Sequence, residues 1–185
     1  MWRERTRVLS TGESKSLLER NSLTYRSKCE FIVWGKAAPR GSVKAIPRGK
    51  VVNVHGQRLR EDKGTLVIDQ ESAVLKSWMQ QIKQTAIGAW AQEHTGYSDK
   101  PFIVDITFCM DRPQSHYRTG RYAGHVKETA PKRPIVRPDL DKLTRAVNDA
   151  LTKVVFKDDS QVVEMNVKKI HGYPEGVKVR LYELS

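Results

Sequence analysis

Two pairs of aspartates stand close together in a basic chain. Asp139 and Asp141 belong to the run RPDLD, and Asp158 and Asp159 belong to the run KDDSQVV. The formal net charge of the chain is +12, so basic segments are available to hold phosphates, while carboxylates beside phosphates repel them unless a cation lies between. Carboxylate oxygens suit Mg²⁺, which proteins hold through one or two carboxylates together with substrate phosphate and water. The pattern therefore predicts metal chemistry on a phosphodiester.

The spacing of the first pair suits such a site. If Asp139 and Asp141 are both extended, their side chains point the same way and Leu140 turns into the core. A helix that follows places Arg145 one turn beyond Asp141, on the same face as Asp149. Arg145 is then placed to contact a phosphate held at the metal.

The second pair of aspartates can reach the first. A helix over residues 141–152 is about 18 Å long, and seven extended residues span at most about 23 Å. The chain can therefore return Asp159 to the start of the helix. Pairing between the two copies of a dimer is equally compatible with these lengths.

Each pair of aspartates also has a purely structural interpretation. Asp141 is a good N-cap for the helix, where Asp139 would be favoured by the helix dipole. Asp158 and Asp159 are typical of a turn before a strand. From residue types alone, these alternatives stay open.

Two Gly/Pro-punctuated segments, residues 36–63 and 111–138, hold much of the positive charge. A small protein this basic, with a sequence pI of about 9.8, usually binds a polyanion, and DNA or RNA is favoured over an anionic membrane surface. Tyr117 and Tyr122 stand among the arginines of the second segment and are candidates for stacking on bases. The candidate phosphate contacts in the two segments are Lys36, Arg40, Lys44, Arg48, Arg118, Arg121 and Arg137.

Length and composition limit the class of protein. The 185 residues suit one domain, which we place at 28–185, preceded by a basic and polar tail over 1–27. No apolar run approaches the length of a membrane span, and the charged N-terminus leads into no secretory signal. Cys29 and Cys109 are expected to be buried free thiols of a cytoplasmic protein, and no zinc-ligand spacing is present.

Hydrophobic periodicity predicts an α+β fold. Apolar residues recur at helical spacing over residues 70–94 and 141–152, and strand patterns cover 29–35, 51–54, 102–110, 161–170 and 176–184. The first helix has the stripe Val74, Leu75, Trp78, Ile82, Ala86 and Trp90, and the second has Leu143, Ala146, Val147, Ala150 and Leu151. The order of elements predicts one domain with a mixed β-sheet packed by two main helices.

The region around the aspartates resembles the signature of the RusA-type Holliday-junction resolvases of bacteria and phages. The matching runs are RPDLD at 137–141, NDAL at 148–151 and DDSQVV at 158–163, followed by Lys168 and Lys169, where the family tends to be basic. The run GKAAPRG at 35–41 is similar to the start of the larger, phage-type members. The resemblance is strong over residues 134–171 and looser over 29–110.

This resemblance implies a homodimeric endonuclease that cuts four-way DNA junctions. Each subunit would nick one strand, with Mg²⁺ as cofactor or Mn²⁺ in its place. DNA recombination and repair are the processes implied, in a bacterial cell or a phage-infected host. Nucleases for other branched DNA, and non-catalytic nucleic-acid-binding proteins, are the alternatives.

The family's catalytic residues carry over with one departure. Its three metal-binding aspartates fall on Asp139, Asp141 and Asp159, with Asp158 as a further candidate. Its catalytic lysine falls on Arg145, which keeps the charge but does not readily give up a proton. Lys142 is the nearby lysine that could take part, although it stands about 300° around the helix from Arg145.

Overall fold

The computed structural model of the protein describes residues 25–41, 44–47, 51–54, 57–60, 65–68 and 72–185. The predicted tail lies almost wholly outside these residues, except that the first strand already begins at Tyr25. The elements are β1 (Tyr25–Trp34), β2 (Lys44–Pro47), β3 (Val51–Val54), β4 (Gln57–Arg60), β5 (Thr65–Ile68), α1 (Ala73–Trp90), β6 (Phe102–Met110), α2 (Leu140–Leu151), β7 (Val162–His171) and β8 (Gly176–Leu184).

A four-stranded mixed sheet forms the framework, with the strand order β1-β8-β6-β7. β8 runs antiparallel to both β1 and β6, whereas β6 and β7 are parallel. Parallel neighbours need a crossover connection, and α2 lies in that connection. The predicted α+β class is confirmed. The strand order could not be predicted from the sequence patterns.

The two helices pack on one face of the sheet. α1 contacts α2 and β1, and α2 also contacts β7. The predicted stripe of α1 is buried, from Leu75 to Trp90, with the exception of Val74, which is 67% exposed. Val74 stands in the first turn of the helix, adjacent to the stripe rather than on it. Ser72 caps this helix by accepting a hydrogen bond from the N–H of Leu75 at 3.1 Å.

The core lies between the helices and the sheet. All five predicted apolar residues of α2 are buried, and they meet the inward side chains of β6 and β8. β6 is buried along most of its length because it is a central strand. Cys29 and Cys109 are both buried and free, as predicted. Burial, reinforced by the charge of Glu93, raises the pKa of the Cys29 thiol to about 11.

The basic segment 36–63 contains more strands than the single one predicted at 51–54. β3 pairs with β4, and β2 pairs with β5, both antiparallel. The sequence pattern missed β2, β4 and β5 because four-residue strands are too short to show a clear period.

The segment 111–138 is mostly loop, with local structure in its first part. We call residues 112–131 the basic arm. It contains two short 3₁₀ turns, Gln114–His116 and Gly120–Tyr122, and an antiparallel bridge between Tyr117 and Val126. The arm is therefore a hairpin with a defined stem.

We expect Leu143→Ala to destabilise the protein by about 2–5 kcal/mol, because Leu143 is fully buried and the change leaves a cavity between α2 and the sheet. Urea unfolding followed by circular dichroism measures the change. Val163→Ala is the matched control, since Val163 is 61% exposed and its truncation should cost little. Equal losses for the two variants would contradict the packing described.

Candidate active site

One face of α2 borders an open depression of about 770 Å³. The face brings Asp141, Arg145 and Asp149 together at spacings of four residues, as the sequence predicted. Asp159 reaches the same depression from the segment before β7. The full lining is Leu140, Asp141, Thr144, Arg145, Asn148, Asp149, Asp159 and Val167.

The start of α2 differs from the sequence expectation. The helix begins at Leu140, so Asp141 is already in the first helical turn and is neither extended nor the N-cap. Asp139 is the N-cap residue, in an extended conformation, but its side chain makes no capping hydrogen bond. Asp141 lines the depression, whereas Asp139 is not among its lining residues. Both carboxylates stand at the positive end of the helix dipole.

Asp139 is instead paired with a neighbour. Its Oδ2 atom lies 3.1 Å from Nζ of Lys142, one turn along the helix. Lys169, on β7, donates hydrogen bonds to the carbonyl oxygens of Val136 at 3.1 Å and Pro138 at 2.9 Å. Lys169, a predicted DNA contact, thus anchors the segment that leads into Asp139.

The two adjacent aspartates before β7 have different surroundings. The Asp158 side chain accepts a hydrogen bond from the N–H of Ser160 at 3.0 Å, and the Gln161 side chain accepts one from the N–H of Asp158 at 3.0 Å. These bonds close a capping box, and those from Ser160 lower the pKa of Asp158. Asp158 therefore has the structural role in a turn that its residue type also allowed. Asp159 is the aspartate of the pair that lines the depression.

Gln161 also fixes this turn to the rest of the fold. Its side-chain amide donates to the carbonyl oxygens of Ser98 at 3.0 Å and Lys100 at 2.8 Å. The Ser98 hydroxyl in turn donates to the buried carboxylate of Glu183. The position of Asp159 thus depends on a chain of bonds that reaches β8.

Asp149 lines the depression, whereas the sequence pattern placed it only on the helix face. Its Oδ2 atom lies 2.7 Å from Nη1 of Arg40. The N–H of Arg40 also donates to the carbonyl oxygen of Lys142 at 3.1 Å. Arg40, predicted to contact DNA, is therefore partly buried and joins the segment after β1 to α2.

Neither Asp141 nor Asp159 forms a salt bridge with the residues that the structure describes.

The donor set suits a hard cation held partly by substrate. Within the described part of the chain, no group of three or more His, Cys, Asp or Glu side chains is placed to hold one metal ion. Asp141 and Asp159 are the carboxylates available in the depression. Beside them, Oδ1 of Asn148 is buried, and no described residue donates a hydrogen bond to it. This arrangement fits Mg²⁺, which needs only one or two carboxylates, and it does not form an all-protein cage.

The remaining candidate DNA contacts are distributed over the surface. Lys36, Arg118, Arg121, Arg137 and Lys168 are exposed. Lys168 points to the sheet face opposite the helices, because it alternates with Val167, which lines the depression. The side chains of Lys44 and Arg48 lie outside the described residues.

The chain is similar to known proteins. The chain is 30% identical over 161 residues to the uncharacterized protein YqaN of Bacillus subtilis (strain 168), an overlap that covers 84% of this chain and 96% of that relative. The family model described as endodeoxyribonuclease RusA matches residues 47–182, which include α2, the capping-box turn and the whole depression. The chain therefore belongs to the RusA family of endodeoxyribonucleases.

Proposed function

We propose that the protein is a Mg²⁺-dependent endonuclease that resolves four-way DNA junctions by paired nicks. The observation that carries the proposal is the depression on α2, in a chain of net charge +12. Two carboxylates that no described residue pairs in a salt bridge stand there together with an exposed arginine. Membership of a family of endodeoxyribonucleases supports the cleavage of DNA.

Asp141 and Asp159 are the residues that would hold the cation, with Asp139 as a ligand once Lys142 releases it. The chemistry that bound Mg²⁺ supplies is the activation of water and the neutralisation of charge on the cleaved phosphate. Mn²⁺ has the same preference for carboxylate and water ligands.

Arg145 stands one turn beyond Asp141 and lines the same depression. Its guanidinium would bind the non-bridging oxygens of the phosphate in a fork geometry and stabilise the charge that grows there. Because an arginine does not readily give up a proton, this side chain positions and neutralises but does not protonate the leaving oxygen. The products would be 5′-phosphate and 3′-hydroxyl ends.

Two symmetric nicks call for two depressions, and the described chain contributes one. We therefore propose that the protein acts as a homodimer, with each protomer cutting one strand of the junction. The substrate lies in the cytoplasm of a bacterial cell or phage-infected host. Among the described residues, no helix has the length and apolarity to span a membrane.

A DNA-binding protein that does not cut is the second candidate. Two observations favour it: Asp139 is held by Lys142, and Arg145 stands where the resemblance expects a lysine. Such a protein would bind junctions without any need for a divalent cation. A nuclease for other branched DNA would share the metal requirement and differ only in its preferred substrate.

We expect Asp141→Asn and Asp159→Asn to abolish cleavage of a labelled synthetic four-way junction, because each change removes a carboxylate from the depression. Asp158→Asn is the matched control: it alters the adjacent carboxylate, which caps the turn, and should leave most of the cleavage. Binding to the junction should persist in all three variants. Gel analysis of nicked products with Mg²⁺, with linear duplex as comparison, measures these outcomes.

Failure of the wild-type protein to nick the junction with either Mg²⁺ or Mn²⁺, despite tight binding, would support the binding protein instead. Loss of cleavage in Asp158→Asn equal to that in Asp159→Asn would show that the integrity of the turn, and not the position of one carboxylate, controls activity.

Replacement of Arg145 separates its charge from its shape. Arg145→Ala should lower the cleavage rate by about 10²–10³-fold, the usual cost of removing a donor to developing charge. Arg145→Lys keeps the charge and adds a group that can give up a proton, so its rate should remain close to that of the wild type or exceed it. Single-turnover rates measure both. A rate for Arg145→Lys as low as that for Arg145→Ala would show that the fork geometry is essential.

Lys142 should compete with the cation for Asp139. Lys142→Ala removes the ammonium group 3.1 Å from Asp139 and should strengthen Mg²⁺ binding by about two- to five-fold, the size of one exposed ion pair. Isothermal titration without DNA measures the affinity. Lys76→Ala, on the exposed face of α1, is the control for the loss of one positive charge. Unchanged affinity in Lys142→Ala would remove Asp139 from the proposed ligands.

A further inference from the structure

The stem of the basic arm is held by several bonds. On either side of the Tyr117–Val126 bridge, the N–H of Arg118 donates to the carbonyl oxygen of His125 at 2.8 Å, and the N–H of Lys127 donates to that of His116 at 2.8 Å. These bonds hold the two sides of the arm together. A group at its end can be presented without a large ordering cost on binding.

The tip of the arm is a tight turn between two glycines. Gly120 and Gly124 both have positive φ, at 66° and 87°, a conformation that other residues adopt only with strain. A Cβ at either glycine would meet no atom within 4 Å, so the tip is open on the side of both glycines. Tyr122 is the aromatic residue within this turn.

Two arginines lie beside the ring of Tyr122, and one of them, Arg118, is also paired with Glu128 at 3.0 Å. The Arg121 guanidinium lies 4.7 Å from the centre of its ring, and that of Arg118 lies 6.0 Å away. The side chain of Tyr122 remains 46% exposed. An exposed aromatic ring beside arginines is the combination by which proteins stack on bases while holding the adjacent phosphates.

The arm stands at the end of the sheet where α2 begins. It leaves β6 after Met110, and Arg112 ties its two ends together by donating to the carbonyl oxygen of Pro131 at 3.0 Å. The chain then enters the segment held by Lys169, which pairs with Phe108 near the end of β6. The base of the arm and the first turn of α2, which carries Asp141, therefore lie at the same end of the sheet.

We propose that Tyr122 stacks on an unstacked DNA base at the branch point and so selects junctions over linear duplex. The inference rests on the proposed function. Linear duplex exposes no base face along its length, whereas strands that exchange at a branch can expose one. Arg118 and Arg121 would hold the phosphates on either side of that base.

The test compares binding of Tyr122→Ala, Tyr122→Phe and the wild type to a four-way junction, a linear duplex and a single-stranded oligonucleotide, all in EDTA to prevent cleavage. Tyr122→Ala should bind the junction about 5- to 150-fold more weakly, the range for one lost base–aromatic stack, with duplex binding changed by less than about two-fold. Tyr122→Phe keeps the ring and should bind like the wild type. Tyr97→Ala is the matched control, because Tyr97 is similarly exposed, at 49%, and lies beyond the end of α1.

Equal losses on junction and duplex, or no loss on the junction, would overturn the role of Tyr122. If the wild type shows no preference for the junction at all, the proposed function fails, and single-stranded binding then decides the stacking role. In that case, stacking is supported if Tyr122→Ala binds the single-stranded oligonucleotide more weakly and Tyr122→Phe binds it like the wild type. Equal binding by all proteins refutes stacking.

Discussion

Parallel neighbouring strands cannot be joined by a tight turn, and this constraint organises the molecule. The chain between β6 and β7 must cross the sheet, and α2 is the part of the crossover that packs on it. Burial of the five apolar residues of α2 fixes the rotation of the helix. With that rotation fixed, the residues at positions 141, 145 and 149 share the remaining face and line the depression. The arrangement of the candidate site is therefore a consequence of core packing.

Asp159 lines the depression from the turn before β7, and the two adjacent aspartates of this turn have different roles. Asp158 and Gln161 satisfy each other's backbone through the capping box, and Gln161 attaches the turn to the segment before β6. Asp159 takes no part in those bonds, so its carboxylate remains available in the depression. In the run DDSQVV, the first aspartate and the glutamine maintain the geometry that the second aspartate needs.

Sequence periodicity predicted the elements whose burial is one-sided or complete. Both helices, β6 and β8 were found with boundaries within a few residues, because apolar stripes and strand alternation reflect packing directly. The short strands β2, β4 and β5 were not predicted, since four residues contain too few repeats of the strand alternation. α2 begins at Leu140, one residue before the predicted start, so that Asp139 is the N-cap residue and Asp141 stands in the first turn.

What the sequence could not provide was the pairing of charged residues distant along the chain. Arg40 and Asp149 are separated by more than 100 residues, and their ion pair arises only when β1 and α2 meet on the same sheet. Lys169 and the carbonyl oxygen of Pro138 meet for a similar reason. No local pattern distinguishes these side chains from solvated ones that contact phosphates.

These pairings set the charge that a phosphate would meet. Arg40 neutralises Asp149 and Lys142 neutralises Asp139. The charges at the depression that no described residue pairs are therefore the carboxylates of Asp141 and Asp159 and the guanidinium of Arg145. Two negative charges would repel a phosphodiester, and a divalent cation between them cancels that repulsion. The positive charge of Arg145 then remains to attract the phosphate. With Asp139 and Asp149 paired, one divalent cation would be enough to balance the two remaining carboxylates, which is what the proposed function requires.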